Sequence, residues 1–154
     1  MEEKLKKGIK VLDVGCGPGT WVLDMASAYP NSQFYGIDIA PVFPSAIKPV
    51  NVTFLKANAF DLPFSDEFDF VHLQLATLNF TQHEWIHKVI PEMLRVTRPN
   101  GYLEIFEFDF RTYQPPKTLV PIMEACKYQK KIFLIPHYKM KRQKNSFFLF
   151  FLQI

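Results

Sequence analysis

The chain has little of what disulfide-rich, metal-binding or membrane-spanning proteins need. Its 154 residues include two cysteines, Cys16 and Cys126, and four scattered histidines. Two cysteines make no disulfide framework, and no metal-ligand spacing is present. There is no run of about 18 apolar residues to form a membrane span. Residues 1–10 are charged and lack the apolar region of a signal peptide. We expect a protein of a reducing compartment, the cytoplasm first and the nucleus as the alternative.

Charge is distributed unevenly along the sequence. Residues 1–110 hold nine Lys and Arg against fourteen Asp and Glu, whereas residues 111–154 hold nine Lys and Arg and one acid. We expect a core over 1–110 and a divergent segment over 111–154, with a helix and a basic, aromatic tail. Because the core is acidic, the composition disfavours a nucleic-acid-binding module. The oligomeric state cannot be read from the sequence.

A glycine-rich turn dominates the first part of the chain. Residues 11–21 have the pattern of a strand, a tight loop and the start of a helix, with glycines at Gly15, Gly17 and Gly19. Glycine permits positive φ, and the first amides of a helix lie at the positive end of its dipole. A nucleotide or nucleoside derivative is therefore the expected ligand. In the dinucleotide fingerprint a third glycine would stand where this chain has Thr20.

Strands and helices are predicted to alternate after this turn. The apolar patterns predict strands over 9–14, 33–38, 52–57, 68–74 and 102–107, and helices over 20–28 and 82–97. A capping box at Thr81 and Glu84 opens the second helix, and Pro91 is expected to kink or divide it. Three prolines disfavour a long helix over 40–51 and leave room for a short helical turn around Phe43–Ile47. The order predicts an α/β fold with a Rossmann-like open, mostly parallel sheet and helices on both faces.

Polar residues at predicted strand ends are the candidates for ligand contacts. Asp38 ends the second strand, where an acid can accept hydrogen bonds from both ribose hydroxyls, in NAD and S-adenosylmethionine alike. The alternative is an ordinary turn aspartate. His72 is either a general base or, in keeping with its apolar strand, a packed and hydrogen-bonded histidine. Gln74, nearer the strand end, is the better contact candidate.

Three segments resemble the class I S-adenosylmethionine-dependent methyltransferases. VLDVGCGPGT resembles their motif I, which begins at Asp13 in this chain. Residues 58–64 resemble the adenine-binding segment, with Asn58 in place of the usual Asp. The run RVTRPNGYLEIFE resembles the approach to strand five, where Asn100 replaces a glycine and tolerates a left-handed conformation. The resemblance covers about residues 9–108 and is greatest to small fungal-type domains.

This resemblance implies methyl transfer from S-adenosyl-L-methionine to an unknown acceptor. It implies cofactor contacts from the glycine loop with its preceding acid, from the ends of strands two and four, and from the adenine segment: Asp13, Gly15, Cys16, Gly17, Gly19, Asp38, Ile39, Asn58, Ala59, Phe60 and Gln74. No catalytic base is identifiable. The alternatives are a catalytically incompetent fragment or non-catalytic partner subunit that keeps the fold, and an NAD-dependent oxidoreductase, which Thr20 disfavours.

Both ends depart from the family pattern. The family usually has one or two helices before strand one, and a helix and a hairpin after strand five. We expect almost nothing upstream, a helix over 118–133, a strand over 132–136 and a sheet that is incomplete at its C-terminal end. Phe147–Leu152 has three interpretations: a membrane-surface segment, a buried final strand, or a misread gene end. The sequence favours the third.

Overall fold

A computed structural model describes residues 1–65, 67–76, 78–108, 141–142 and 147–154. Its elements, in chain order, are α1 (Glu2–Lys7), β1 (Lys10–Val14), α2 (Thr20–Ala28), β2 (Gln33–Asp38), β3 (Val52–Lys56), β4 (Phe68–Gln74), α3 (Gln82–Glu84), a π-helical turn (Trp85–Val89), α4 (Ile90–Val96), β5 (Thr97–Phe108), β6 (Lys141–Arg142) and β7 (Phe147–Gln153). None of the helices in this described part is long and apolar enough to cross a membrane.

The strands form one sheet in the order β3-β2-β1-β4-β5-β7-β6. The first five strands of that order are parallel, and β7 pairs antiparallel with β5. All five parallel strands therefore end at the same edge of the sheet. The chain order reverses between β1 and β4, and ligands bind at such a switch point in open α/β sheets. The predicted Rossmann-like fold class is confirmed.

Each face of the sheet carries its own apolar core. On one face, Leu12 and Val14 of β1 pack in a cluster with Trp85 and Met93 of the helical segment 82–96. On the other face, Val11 packs in a second cluster with residues of α1 and α2, including Leu5, Val22 and Ala26. Alternate side chains of a strand point to opposite faces, so a central strand buried on both sides is apolar almost throughout. The prediction of helices on both faces is correct.

The helical segment 82–96 is divided as its proline predicts. Thr81 Oγ1 accepts a hydrogen bond from the Glu84 N–H, and the Glu84 carboxylate accepts one from the Thr81 N–H at 2.9 Å, which completes the capping box. The π-helical turn then runs to Val89, and Pro91 lies in the first turn of α4. Because proline has no N–H to donate, it fits a first helical turn and interrupts a continuous helix.

Residues 39–51 form a loop without helix. The prediction that no long helix forms there is therefore correct, and the short helical turn that the sequence allowed around Phe43–Ile47 does not form. Pro41, Pro44 and Pro49 fix φ and remove three backbone donors from this stretch. The ring of Phe43 instead stacks on that of Phe54 with 4.9 Å between centroids. The loop is therefore held by an aromatic contact rather than by helical hydrogen bonds.

The chain before β1 is helical, contrary to the expectation that almost nothing precedes that strand. Leu5 of α1 is buried, and so is the side chain of Ser32 at the start of β2. The Ser32 hydroxyl donates to the Leu5 carbonyl at 2.7 Å and accepts from the Ile9 N–H at 3.0 Å. One hydroxyl thus connects α1, the start of β1 and the start of β2.

The last residues extend the sheet where we expected it to stop. In β7 the backbone pairs with β5 from Gln153 opposite Tyr102 to Phe147 opposite Phe108. The structure therefore agrees with the interpretation of a final strand for this segment. The predicted helix over 118–133 and strand over 132–136 lie outside the described residues. Asn100 has φ 63°, the left-handed conformation anticipated for it.

Replacing Ser32 with alanine tests the link between α1 and the sheet. Ser32→Ala leaves the buried Leu5 carbonyl and the partly buried Ile9 N–H without the serine hydroxyl, which costs about 1–3 kcal/mol. The matched control is Ser27→Ala on the exposed side of α2, where the hydroxyl bonds only the Leu23 carbonyl at 2.8 Å. Urea denaturation should show a loss for Ser32→Ala and a change within about 0.5 kcal/mol for the control. Equal losses would contradict the proposed link.

Candidate functional site

The structure places the predicted contact residues at one edge of the sheet. The glycine loop (residues 15–19) follows β1, Asp38 ends β2, residues 58–60 follow β3, and Gln74 ends β4. These are all carboxyl ends of parallel strands, and the loop lies at the switch point beside β4. The placement is the one from which open α/β sheets bind their ligands.

Three glycines give the loop its shape, for two different reasons. Gly15, Gly17 and Gly19 have φ of 72°, 53° and 78°. A Cβ at Gly19 would lie 2.4 Å from a ring carbon of Phe54, so this position must be bare for packing. A Cβ at Gly15 or Gly17 would meet nothing within 4 Å. The first two glycines therefore border open space, as expected of a loop that a ligand approaches closely.

Every N–H group in the loop is already bonded within the protein. Those of Gly15 and Cys16 donate to the Ile37 carbonyl at 2.8 and 2.9 Å. That of Gly17 donates to Asp38 Oδ2 at 2.9 Å, and that of Gly19 to the Cys16 carbonyl at 2.9 Å. Pro18 has no N–H. The loop thus offers carbonyl oxygens and bare Cα atoms rather than free N–H groups, which suits a donor or cationic group better than a phosphate.

Asp38 combines a carboxylate with an apolar neighbour. Its second oxygen, Oδ1, accepts from the Ala40 N–H at 2.8 Å, so both oxygens are fixed by backbone groups. Ile39 beside it is 66% exposed, a large fraction for an isoleucine. Each carboxylate oxygen has a further lone pair. The end of β2 therefore offers fixed acceptors next to an apolar surface.

Residues 58–60 form a fixed turn after β3. The side-chain oxygen of Asn58 accepts from the Phe60 N–H at 3.0 Å, and Asn58 and Asp61 are joined by a backbone bridge. Ala59 and Phe60 pack against the core, whereas Asn58 is exposed. The Lys88 ammonium lies 4.6 Å from the centroid of the Phe60 ring. The turn thus presents the amide of Asn58 at the edge of the sheet.

The end of β4 is held by β5 through residues to which the sequence analysis gave no role. Leu75, directly after the half-buried Gln74, has φ 55° and is 48% exposed. Its N–H donates to the Phe106 carbonyl at 2.9 Å, and the next N–H, of Ala76, donates to the buried carboxylate of Glu107 at 2.7 Å. Non-glycine residues with positive φ occur at sites that the surroundings strongly determine. The backbone after Gln74 is therefore fixed.

A buried polar cluster lies beneath the loop. His72 Nδ1 is 2.9 Å from Asp13 Oδ1, and His72 Nε2 is 3.6 Å from Glu104 Oε2. The three residues occupy paired positions on β1, β4 and β5. Trp21 of α2 stacks on the imidazole, with 3.9 Å between centroids and 8° between planes. His72 is thus the packed, hydrogen-bonded histidine of the second interpretation, while Trp21 and Glu104 were missed.

Burial raises the pKa of both carboxyl groups of this cluster and of the loop thiol. It raises the pKa of the Asp13 carboxyl, and the hydrogen bond from His72 opposes that effect. Burial also raises the pKa of Glu104, again opposed by His72. The pKa of Cys16 is raised to about 12, chiefly by burial and further by the Asp13 and Asp38 carboxylates. Cys16 is therefore a protonated thiol at neutral pH and not a nucleophile.

Alanine at two loop positions separates packing from open surface. Gly19→Ala combines positive φ with a clash against Phe54 and should destabilise the fold by about 2 kcal/mol or more. Gly17→Ala has only the cost of positive φ, about 1–2 kcal/mol, because its Cβ would enter open space. Urea denaturation of both variants checks the difference. A larger loss for Gly17→Ala would show that the loop is packed differently.

Comparisons with known proteins agree with this architecture. A model of the methyltransferase domain family matches residues 11–101. The chain is 34% identical over 104 residues to the secondary metabolism regulator laeA of Aspergillus niger, and 32% identical over 104 residues to the protein-methionine methyltransferase laeA of Emericella nidulans. Each alignment covers 66% of this chain and 27% of the relative, so the chain spans about a quarter of their length.

A solved structure shows the same fold. The S-adenosylmethionine-dependent methyltransferase of Aquifex aeolicus superposes with a TM-score of 0.61 at 22% identity, over 97% of this chain and 84% of that one. The family model covers more than half of the sequence and includes the glycine loop, β2, β3 and β4. On these grounds the chain belongs to the class I S-adenosylmethionine-dependent methyltransferases.

Proposed function

We propose that this chain binds S-adenosyl-L-methionine and transfers its methyl group to a nucleophilic acceptor. The observation that carries the proposal is the junction of the loop with the end of β2. There the open surface over Gly15 and Gly17 meets the fixed carboxylate of Asp38 and the exposed side chain of Ile39. Open backbone, a carboxylate and an apolar surface are what an amino-acid part, a ribose and an adenine require.

Each group of residues binds a different part of the cofactor. The glycine loop, including Cys16 and Gly19, holds the amino-acid end above Asp13. Asp38 accepts from the ribose hydroxyls, and Ile39 packs on the adenine. The turn at 58–60 (Asn58, Ala59 and Phe60) meets the adenine edge, and Gln74 approaches the methionine part. The amide of Asn58 lacks the charge of the usual aspartate, yet its oxygen can accept from an amino group.

The pattern of loop hydrogen bonds supports this cofactor over NAD. A pyrophosphate bound at a glycine loop uses free backbone N–H groups. Here the N–H groups of Gly15, Cys16, Gly17 and Gly19 bond within the protein. Carbonyl oxygens and a nearby carboxylate favour the ammonium of an amino acid. Thr20 in place of the third fingerprint glycine points the same way.

Catalysis in this proposal consists of binding and orientation. When bound, S-adenosylmethionine supplies a methyl group already activated on its sulfonium, for in-line displacement by the acceptor. The chain contributes a loop fixed by Ile37 and Asp38 and a strand end fixed by Phe106 and Glu107. Groups that are held before the ligand arrives need little reorganisation during the reaction.

Binding is tested by calorimetry with S-adenosylhomocysteine, the product form of the cofactor. Asp38→Asn should weaken binding roughly tenfold or more, because an amide cannot accept from the Gly17 N–H, the Ala40 N–H and ribose as a carboxylate does. Asp24→Asn, at an exposed carboxylate of α2, is the matched control and should leave the affinity unchanged. Absence of binding to the folded chain, or tighter binding of NAD, would refute the proposal.

Transfer is tested with radiolabelled S-adenosylmethionine and a panel of acceptors. The panel contains amines, hydroxyl compounds and, since one relative is named a protein-methionine methyltransferase, a methionine peptide. We expect label to pass to at least one class, and Asp38→Asn to reduce the rate at subsaturating cofactor. Binding without transfer to any acceptor would instead support the non-catalytic alternative.

A further inference from the structure

The cluster of Asp13, His72 and Glu104 places one carboxylate near each nitrogen of a single imidazole, under Trp21: the Asp13 contact is a hydrogen bond of 2.9 Å, and the Glu104 contact is 3.6 Å long. The side chains of Asp13 and His72 are 1% and 3% exposed, and that of Glu104 is 22% exposed. Asp13 Oδ2 is buried and has no hydrogen-bond partner in the described part of the chain. The cluster therefore contains a buried acceptor atom that nothing described satisfies, two residues before the open surface at Gly15.

The charges of this cluster favour a bound proton. With both carboxylates ionised and the imidazole neutral, it would hold two negative charges in a region of low dielectric, with Asp38 adding a third nearby. Burial raises the pKa of both Asp13 and Glu104, which is the direction that disfavours ionising both carboxyl groups at once. One proton held within the cluster would balance one of these charges.

We propose that binding of the cofactor's ammonium group displaces a proton from the Asp13–His72–Glu104 cluster, with His72 as the positioning residue that holds Asp13 toward the loop. The inference rests on the proposed function. The ammonium supplies the positive charge that the proton supplied before, so the two compete. The proton leaves to bulk water through Glu104, the most exposed member of the cluster, and no other bond changes.

The titratable groups around His72 define the expected behaviour. Asp13 faces it from β1 and Glu104 from β5, while α2 presents only the ring of Trp21, which does not titrate. Asp38 and the Cys16 thiol interact with Asp13, and the thiol stays protonated. Since the proton and the ammonium compete, affinity rises with pH until the cluster has lost its proton.

The experiment compares two ligands across pH. S-adenosylhomocysteine carries the ammonium, whereas 5′-methylthioadenosine has the same nucleoside and lacks the amino-acid part. As pH rises from about 5.5 to 8, the Kd of S-adenosylhomocysteine should fall by up to tenfold per pH unit, because each bound ammonium displaces one proton. The Kd of methylthioadenosine should change less than twofold. His72→Asn keeps an N–H donor for Asp13 but removes the ring that joins the two carboxylates, so its pH slope should be smaller than that of the wild type.

The fluorescence of Trp21 provides a second measurement of the proton exchange, because a protonated imidazole quenches an indole that is stacked on it. Trp85→Phe leaves Trp21 as the one tryptophan of the chain. Its fluorescence should increase as pH rises, and saturating S-adenosylhomocysteine should move the midpoint to lower pH. Glu104→Gln should also move the midpoint to lower pH without ligand, since one carboxylate partner of the imidazolium is lost.

The outcomes separate this inference from the proposed function. If the wild-type chain binds S-adenosylhomocysteine at no pH, the proposed function fails. If it binds and both ligands share one pH profile, or if His72→Asn keeps the slope, the proton exchange is refuted. Should Trp85→Phe fail to fold, as judged by circular dichroism, the two-ligand comparison on the wild-type chain decides alone.

Discussion

The last two residues of β2, Ile37 and Asp38, fix the glycine loop by hydrogen bonds. The Ile37 carbonyl and the Asp38 carboxylate accept three of the four N–H groups of the glycine loop, so the loop that follows β1 is fixed by its neighbour. This works only in the observed register, in which Val14 pairs with Ile37. A slip of one residue would remove the carbonyl from the loop and turn the carboxylate to the other face. The shape of the glycine loop is thus a consequence of the pairing of β1 with β2.

The glycine loop also depends on β3, through the side chain of Phe54. Its ring lies against both Gly19 and Gly36, where a Cβ would come within 2.4 and 2.7 Å of it. A Cβ at Gly36 would also lie 3.0 Å from the Cys16 sulfur. Phe43, from the loop before β3, stacks on the Phe54 ring with 4.9 Å between centroids. The missing side chains of Gly19 and Gly36 therefore make room for the Phe54 ring, which packs against the glycine loop.

What the sequence predicts well is local. The bounds of α2, β2 and β4 follow from apolar period and from turn formers, and the capping box and Pro91 fix the helical segment. The site edge follows as well, since parallel strands end together. Contacts that depend on strand register could not be predicted from the sequence. Asp13 and Glu104 are 91 positions apart, and only the pairing of β1, β4 and β5 brings them next to His72. Helix α1, of six residues, is too short for periodicity to reveal it.

One face of the sheet changes character along its strands. Val11, Phe70 and Tyr102 lie on this face two residues before Asp13, His72 and Glu104, so an apolar layer gives way to a polar one toward the ligand edge. Burying such groups costs stability, and the apolar layer and Trp21 compensate for it.

The polar layer includes Glu104 of β5, the strand that pairs with the C-terminal strand β7. Glu104 pairs in register with Phe151 of β7, the segment that composition alone had separated from the core. Without β7, the described sheet would leave β5 as an edge with unpaired backbone groups. The strand that carries the most exposed member of the cluster is thus paired on its outer side with β7. Strand β7 lies in the same sheet as β1, three strands away from the strand that leads into the glycine loop.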